Sequence, residues 1–401
     1  MKASVTPGLR TLRRSAVSVV RKVSILNAAS KTMSKKGLRR VHDDTLFGDF
    51  AMWHASMMGL RPRLSRKVAW RQSQSRRVAA FCLVMASLAI LAGLRPAFAA
   101  DTIRIAAQKT GTFDWELQII KDHGLAKKAG LNLEVTELAS TDAGKIAMMG
   151  GSADIILSDW LWVSRERSLG ADLTFYPYSN TLGAVMVPDQ SPINSLTDLK
   201  GKKIGVAGGP LDKSWLLLQA LAQKSNLDLE SQATILYGAP PLLFQKALQG
   251  ESDATLNFWN FCANLEAHGF RRLIGMDAVE KSLGASAPVA MVGYVFHDSF
   301  AAKHRGALRR FFAMTREAMQ ILATSQADWQ KLAPRIGVHD AATLDIYRKR
   351  FVEGIPQRPV AADEADAAKL YSVLARLGGA KLVGTGTKLA PGTYYKADGE
   401  K

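Results

Sequence analysis

Hydrophobic and polar positions beyond the first hundred residues alternate in a way that predicts short strands separated by helices. The apolar runs 102–107, 131–138 and 153–158 each have the length of a buried strand. The stretches 114–130 and 143–151 between them have the apolar period of a helix. Strands that alternate with helices favour a parallel sheet in an α/β domain.

The same order of elements is predicted a second time further along the chain. Runs 202–209, 233–239 and 253–258 predict strands, and 212–226 and 242–250 predict helices. This second series favours another α/β unit of similar size.

A short sequence skeleton also occurs in both series. GSADIILSDW (151–160) and GESDATLNFW (250–259) share G-x-x-D-x-x-L-[S/N]-x-W at an offset of 99 residues. Trp115 and Trp215 repeat upstream at nearly the same offset. Matches at nearly one offset, within one order of elements, predict two similar lobes.

The C-terminal part of the chain is predicted to be helical. Residues 304–323, 328–357 and 363–379 have helical periodicity, and 389–395 reads as a closing turn. We expect the first of these helices to pack near the connection between the lobes and the others to pack back onto the first lobe.

The net charge of +18 is carried almost entirely by the N-terminal quarter. Residues 1–100 hold 19 Lys and Arg against 3 Asp and Glu, whereas the rest hold 34 against 32. The remaining 301 residues are nearly neutral, so we expect no nucleic-acid partner.

That quarter ends in the pattern of a signal peptide. Arg76 and Arg77 precede the uncharged run 78–94, and Ala97 and Ala99 supply an A-x-A exit. We predict a cleavable signal peptide over 67–99 and a periplasmic location. Alternatives are an uncleaved membrane anchor, since the run falls just short of the roughly 20 residues that span a bilayer, and a twin-arginine signal. Residues 1–66 are basic, and are either disordered or upstream of the true start.

Cysteine usage and motifs exclude several kinds of chemistry. Only Cys82 and Cys262 are present, so neither an internal disulfide in the mature chain nor a Cys/His metal site is expected. There is no G-x-S-x-G, HExxH or GxxxxGK[ST] motif. We therefore expect no catalytic residues and no cofactor.

Polar and aromatic residues follow four of the predicted strands, at 109–115, 158–162, 208–215 and 257–261. Ligands bind outside the carboxyl ends of the strands in open α/β sheets, so these segments predict one cleft between the lobes. The candidate ligand-binding residues are Lys109, Thr112, Phe113, Asp114, Ser158, Asp159, Trp160, Gly209, Asp212, Lys213, Ser214, Asn257, Trp259 and Asn260.

Carboxylates in these segments bear on the charge of the ligand. Asp114, Asp159 and Asp212 disfavour a bare anion unless they are paired, for example with Lys109 or Lys213. Helix starts suit an anionic or acceptor group, but Asp is also a common N-cap, so capping is the alternative role. A solute with a cationic or donor group would remove the conflict.

Aromatic residues supply possible ligand walls. Trp160 and Trp259, which follow the last predicted strand of each series, are the preferred ones. Trp115 and Trp215 lie one position into their helices and are expected to pack inward.

The opening strand TIRIAAQ, the repeated G-x-x-D and INSLTDLKGKKIGVAGG (193–209) together resemble the periplasmic substrate-binding proteins of ABC importers. The resemblance is to the sulfonate, nitrate, taurine and thiamine-pyrimidine (SsuA/THI5-like) group. It implies a type II periplasmic-binding-protein fold, two open α/β lobes joined by a two-strand hinge. Lobe 1 would be 101–184 plus about 300–401 and lobe 2 would be 185–299, with crossings at 181–189 and 289–298.

The resemblance implies a monomeric, non-enzymatic receptor. It would capture a small organic solute, such as a sulfonate, taurine or a pyrimidine, and deliver it to an inner-membrane ABC permease with a cytoplasmic ATPase. One alternative is a receptor for a metal ion or complex held by Asp114, Asp159 and Asp212. Another is a thiamine-pyrimidine-related enzyme, whose CCCFC motif has no counterpart around Cys262. A third is a sensor that contacts a membrane receptor.

Overall fold

Ten strands and fourteen helices make up the part of the protein described by the computed structural model, residues 100–109 and 111–397. The basic segment 1–66 and the predicted signal peptide 67–99 lie outside these residues. Among the described helices, none combines the length and the apolar character needed to cross a membrane.

The strands are β1 (Asp101–Gln108), β2 (Leu131–Leu138), β3 (Ile155–Asp159), β4 (Leu173–Ser179), β5 (Gly183–Pro188), β6 (Lys203–Ala207), β7 (Thr234–Gly238), β8 (Ala254–Phe258), β9 (Phe270–Gly275) and β10 (Val292–His297). The helices are α1 (Thr112–Asp122), α2 (Leu125–Lys128), α3 (Thr141–Met149), α4 (Trp160–Ser168), α5 (Lys213–Gln223), α6 (Leu229–Gln232), α7 (Pro240–Leu248), α8 (Trp259–Ala267), α9 (Met276–Ser282), α10 (Asp298–Lys303), α11 (Arg305–Thr324), α12 (Gln326–Ile336), α13 (Ala341–Glu353) and α14 (Val360–Val383).

The strands form two sheets with the same topology. The first sheet has the order β2-β1-β3-β10-β4 and the second has the order β7-β6-β8-β5-β9. In each sheet four strands run in one direction, and the fourth strand in the order is antiparallel to both of its neighbours. Both sheets belong to one compact unit.

The repeated aspartate of the G-x-x-D skeleton explains why the two halves share a sequence pattern. Asp154 accepts a hydrogen bond from the backbone N–H of Arg104 (2.8 Å) and donates its own N–H to the Arg104 carbonyl. Asp253 makes the same two contacts with Lys203. Each aspartate therefore fixes the third strand of its sheet to the first, and has a structural role.

The connections between the sheets differ from the sequence-based division. The strand Val292–His297 falls in the predicted crossing between the lobes (289–298) and inside the predicted bounds of lobe 2 (185–299), but it pairs antiparallel with β3 and β4 inside the first sheet. The return from the second sheet therefore comes before Val292. The apolar run is buried on both faces in this position, and periodicity alone does not show which sheet such a strand joins.

The C-terminal helices contact both sheets' helices, not the first lobe alone. Helix α11 packs on α1, whereas α13 packs on α8 and α14 packs on α4 and α5. The 3.6-residue period shows that these helices have an apolar face, but it does not identify the element that covers it.

Candidate functional site

Two of the predicted site carboxylates cap helices that begin at strand ends. Asp159 ends β3, and its Oδ1 accepts the backbone N–H of Trp162 (2.9 Å) at the start of α4. Asp212 precedes α5, and its Oδ1 accepts the N–H of Trp215 (3.2 Å). Gly208 leaves room for this cap because a Cβ there would lie 2.9 Å from Asp212 Oδ2. The capping role considered for these residues is thus present.

One of these carboxylates also joins the two sheets. Lys213 Nζ, on the first residue of α5 after the second sheet's β6, lies 3.0 Å from Asp159 Oδ2 at the end of the first sheet's β3. The Asp159 side chain is 12% exposed and that of Lys213 is 28% exposed. The structure therefore brings Asp159, Asp212 and Lys213 together. The two aspartates cap α4 and α5, and Lys213 of α5 forms an ion pair with Asp159.

The charges of this cluster stabilise one another against burial. Burial acts to raise the pKa of Asp159, but the charges of Lys213 and Lys145 and the Trp162 N–H outweigh it and lower the pKa. Burial acts to lower the pKa of Lys213, and the Asp159 contact raises it above its usual value. Burial raises the pKa of Asp212. Asp159 and Lys213 are therefore both charged at neutral pH.

A second ion pair lies beside the first and was missed by the sequence reasoning. Lys145 Nζ is 3.3 Å from Asp142 Oδ1 and 5.5 Å from the ring centre of Trp162. Lys145 lies in α3, the helix that follows β2. The sequence predicts a helix with a polar start after β2. A lysine inside that helix, however, does not by itself indicate a binding site.

Two buried polar atoms flank Asp159 in sequence. Ser158 Oγ and Trp160 Nε1 are buried, and neither has a hydrogen-bond partner among the described residues. Most buried polar groups in proteins are hydrogen-bonded, so an unpartnered one needs an explanation such as water or a ligand.

The indoles expected as ligand walls have no open face. Trp160 is fully buried, and Trp259 is 8% exposed and packs edge-to-face on Trp115 (5.9 Å between ring centres). Trp115 and Trp215 are buried as expected. Trp160 and Trp259 are the first residues of α4 and α8, and their side chains are buried. A position directly after a strand therefore does not by itself indicate that a side chain is exposed.

Exposed apolar residues lie instead around the strand ends of the second sheet. They are Leu211 (39% exposed), Tyr237 (36%), Leu242 (52%) and Phe258 (39%). Leu211, Tyr237 and Leu242 are not among the residues predicted from the sequence to line the site. A large apolar residue close to a strand end is the sequence feature that could have indicated them.

Asp114 and Lys109 lie in a different ion network. Asp114 forms a two-point ion pair with Arg335 of α12, whose Nη2 also lies 3.6 Å from Glu137. Lys109 is exposed and lies 3.7 Å from the same Glu137. Asp114 and Arg335 are 221 residues apart in sequence, so no local pattern reveals their contact.

Two of the three aspartates proposed as metal ligands are held by different cations. Asp114 is bound by Arg335 and Asp159 by Lys213. Within 100–109 and 111–397, no group of His, Cys, Asp or Glu has the arrangement of a metal site. The geometry does not favour the metal-receptor alternative.

The remaining candidates are mostly engaged in local structure. Phe113 is buried against Tyr178 and Tyr294, and Thr112 Oγ1 accepts a hydrogen bond from Tyr178. Asn257 donates to the Pro240 carbonyl and accepts from the Phe258 N–H. Ser214 is buried, whereas Gly209, in a left-handed conformation (φ 106°), and Asn260 are half-buried. Their contact with a ligand stays a prediction.

One family model matches this chain. The model of the family described as NMT1/THI5 like matches residues 119–328, a little over half of the chain. A search of curated protein sequences found no match.

Several solved structures have the same fold. The periplasmic aliphatic sulphonate binding protein SsuA from Escherichia coli is similar with a TM-score of 0.59 and 20% identity, over 74% of this chain and 92% of that one. The alkanesulfonate-binding protein SsuA from Xanthomonas axonopodis pv. citri, bound to MOPS, gives 0.55 and 20%, over 74% and 98%. An ABC transporter protein from Parabacteroides distasonis gives 0.57 and 12%, over 74% and 99%.

These likenesses confirm the type II periplasmic-binding-protein fold that the sequence resemblance implied. The family match also confirms the suspected group. The chain belongs to the NMT1/THI5-like family.

Proposed function

We propose that this protein is the periplasmic solute-binding component of an ABC importer. It captures a small organic solute, such as a sulfonate, taurine or a pyrimidine, between two lobes built around the two sheets. It then delivers the solute to an inner-membrane permease with a cytoplasmic ATPase. In this proposal it acts as a monomer and not as an enzyme.

The observation that carries the proposal is the Asp159–Lys213 contact of 3.0 Å between the carboxyl ends of strands from different sheets. Domain interfaces and strand carboxyl ends are favoured positions for ligands in α/β proteins. The family match and the shared fold with the SsuA proteins support a solute-binding role. Lobe 1 comprises the first sheet with 101–182 and about 292–397, and lobe 2 comprises the second sheet.

The binding function is tested on the purified secreted protein by titration with a panel of alkanesulfonates, taurine, pyrimidines and nitrate. Tryptophan fluorescence is the readout, because Trp115 and Trp259 contact each other from helices that follow strands of different sheets. Saturable quenching or enhancement by one class of organic solute is expected. No response across the panel, confirmed by calorimetry, would contradict the proposal.

The location is tested separately by cell fractionation and N-terminal sequencing of the secreted protein. We expect a periplasmic protein whose first residue lies close to residue 100. A mature chain that begins well before Ala97 would contradict cleavage at the proposed exit.

A further inference from the structure

Asp159 and Lys213 are each other's ion-pair partners, so neither charge is free for a solute while this contact is intact. Lys213 is the cation closest to Asp159, and its Nζ is bonded to Oδ2 at 3.0 Å. The other oxygen of Asp159 caps α4 through the Trp162 N–H. In this arrangement both charged groups are satisfied without a ligand.

A solute with only a negative charge would disturb this balance. It would have to take Lys213 from Asp159 and leave the carboxylate buried with a weaker set of partners. Asp212, which caps α5 next to Lys213, adds a second carboxylate to the same position. Separating a buried ion pair leaves an uncompensated charge, which strongly opposes binding.

A solute that carries both charges exchanges one ion pair for two. Its cationic end replaces Lys213 at Asp159, and its anionic end replaces Asp159 at Lys213. Asp159 and Lys213 follow strands of different sheets, so a solute between them meets one group of each charge.

We propose that Asp159 and Lys213 are the charge-recognition pair of the site and that its cargo is a zwitterion, with an ammonium-type group bound by Asp159 and a sulfonate or carboxylate bound by Lys213. This inference rests on the proposed solute-binding function and specifies the substrate class.

The test compares two solutes of the same size, taurine and isethionate, which differ in an ammonium group against a hydroxyl group. Isothermal titration calorimetry measures both with the secreted protein, and β-alanine tests whether a carboxylate serves in place of the sulfonate. Taurine or β-alanine is expected to bind at least about tenfold more tightly than isethionate.

Asp159→Asn isolates the charge, because Asn also caps helices. This variant is expected to lose at least about tenfold in affinity for the zwitterion and to bind isethionate equally or more tightly. Asp340→Asn is the matched control. Asp340 caps α13 by accepting the Thr343 N–H (2.8 Å), so its substitution should leave both affinities unchanged.

Isethionate binding as tightly as taurine, or Asp159→Asn weakening both solutes by the same factor, would overturn the inference. Binding of only a neutral or purely anionic solute would also overturn it while leaving the proposed function intact. No binding of any solute in the panel would count against both.

Discussion

Trp115 and Trp259 meet edge to face, with ring centres 5.9 Å apart, although they belong to helices that follow strands of different sheets. Tyr347 of α13 lies against both rings, 6.2 Å from Trp115 and 6.1 Å from Trp259. A helix from the C-terminal part therefore covers a contact between the two repeated halves.

Replacing Trp259 by Ala should destabilise the protein strongly. The side chain is 8% exposed, and removal of a buried tryptophan leaves a cavity that costs about 3 kcal/mol or more. Urea unfolding followed by circular dichroism measures the loss. Trp162→Ala is the control, because Trp162 is only half-buried and should cost clearly less. Equal losses would mean that the contact between Trp115 and Trp259 contributes little.

The repeated aspartates should differ in their effect on stability. Asp154→Ala removes the strand contact and also the ion pair with Arg104 (Nη2–Oδ1 2.5 Å), whereas Asp253→Ala removes only the backbone contacts of its side chain. We expect a loss of about 2 kcal/mol for Asp154→Ala and about 1 kcal/mol for Asp253→Ala. The exposed Asp345→Ala serves as the reference in the same unfolding measurements. The opposite order would contradict the assigned contacts.

Glu116 should make stability depend on pH. Burial raises its pKa to about 8, and the Tyr294 hydroxyl, 2.9 Å from both carboxyl oxygens, only partly offsets this. Between the ordinary pKa of a glutamate and about pH 8, the Glu116 carboxyl group is therefore protonated in the folded protein and ionised in the unfolded chain. The stability from this group is complete below that ordinary pKa and falls until pH exceeds about 8.

Between about pH 6 and about pH 9, Glu116 should account for roughly 3 kcal/mol of lost stability. Glu116→Gln keeps a neutral hydrogen-bonding group and should remove that part of the pH dependence. Urea unfolding of both proteins at the two pH values measures the difference, which cancels contributions from other groups such as Glu280. Identical pH dependence in the two proteins would show that Glu116 is not the group responsible.

Arg358 should be important for the segment that returns from the second sheet to the first. Its Nη2 lies 2.8 Å from Asp366, which in turn accepts the Ser286 N–H (2.9 Å), and its Nε lies 3.7 Å from Asp363. Asp363 accepts the Ala290 N–H. The guanidinium therefore balances two carboxylates that hold this connection.

Arg358→Met should cost about 3 kcal/mol, because it leaves buried carboxylates with less positive charge. Arg310→Met is the matched control, because Arg310 pairs with Asp101 at the surface and should cost less than about 1 kcal/mol. Thermal unfolding of the three proteins measures both effects. A small loss for Arg358→Met would show that the pairs with Asp363 and Asp366 are not important for stability.

The order of strands and helices and the presence of two similar sheets could be predicted, because each depends on local periodicity and on a repeat of 99 residues. The structural role of Asp154 and Asp253 could not, since it lies in contacts with a strand 50 residues earlier. The place of β10 in the first sheet was missed for the same reason.

The site was only partly predictable. The requirement for a cation near the carboxylates pointed to Lys109 or Lys213, and the structure pairs Lys213 with Asp159. The partner of Asp114 is Arg335 in a distant helix, which sequence spacing cannot indicate. Burial of Trp160 depends on how a helix start is oriented, and the strand-end pattern does not specify this.

The solute site is tested most directly by calorimetric titration of the purified protein and its Lys213→Met variant with the solute panel. We expect one small organic solute to bind at one site per chain, and the variant to bind it at least about tenfold more weakly. The absence of a binding solute, or equal affinity in the two proteins, would contradict a solute site at Lys213 and Asp159.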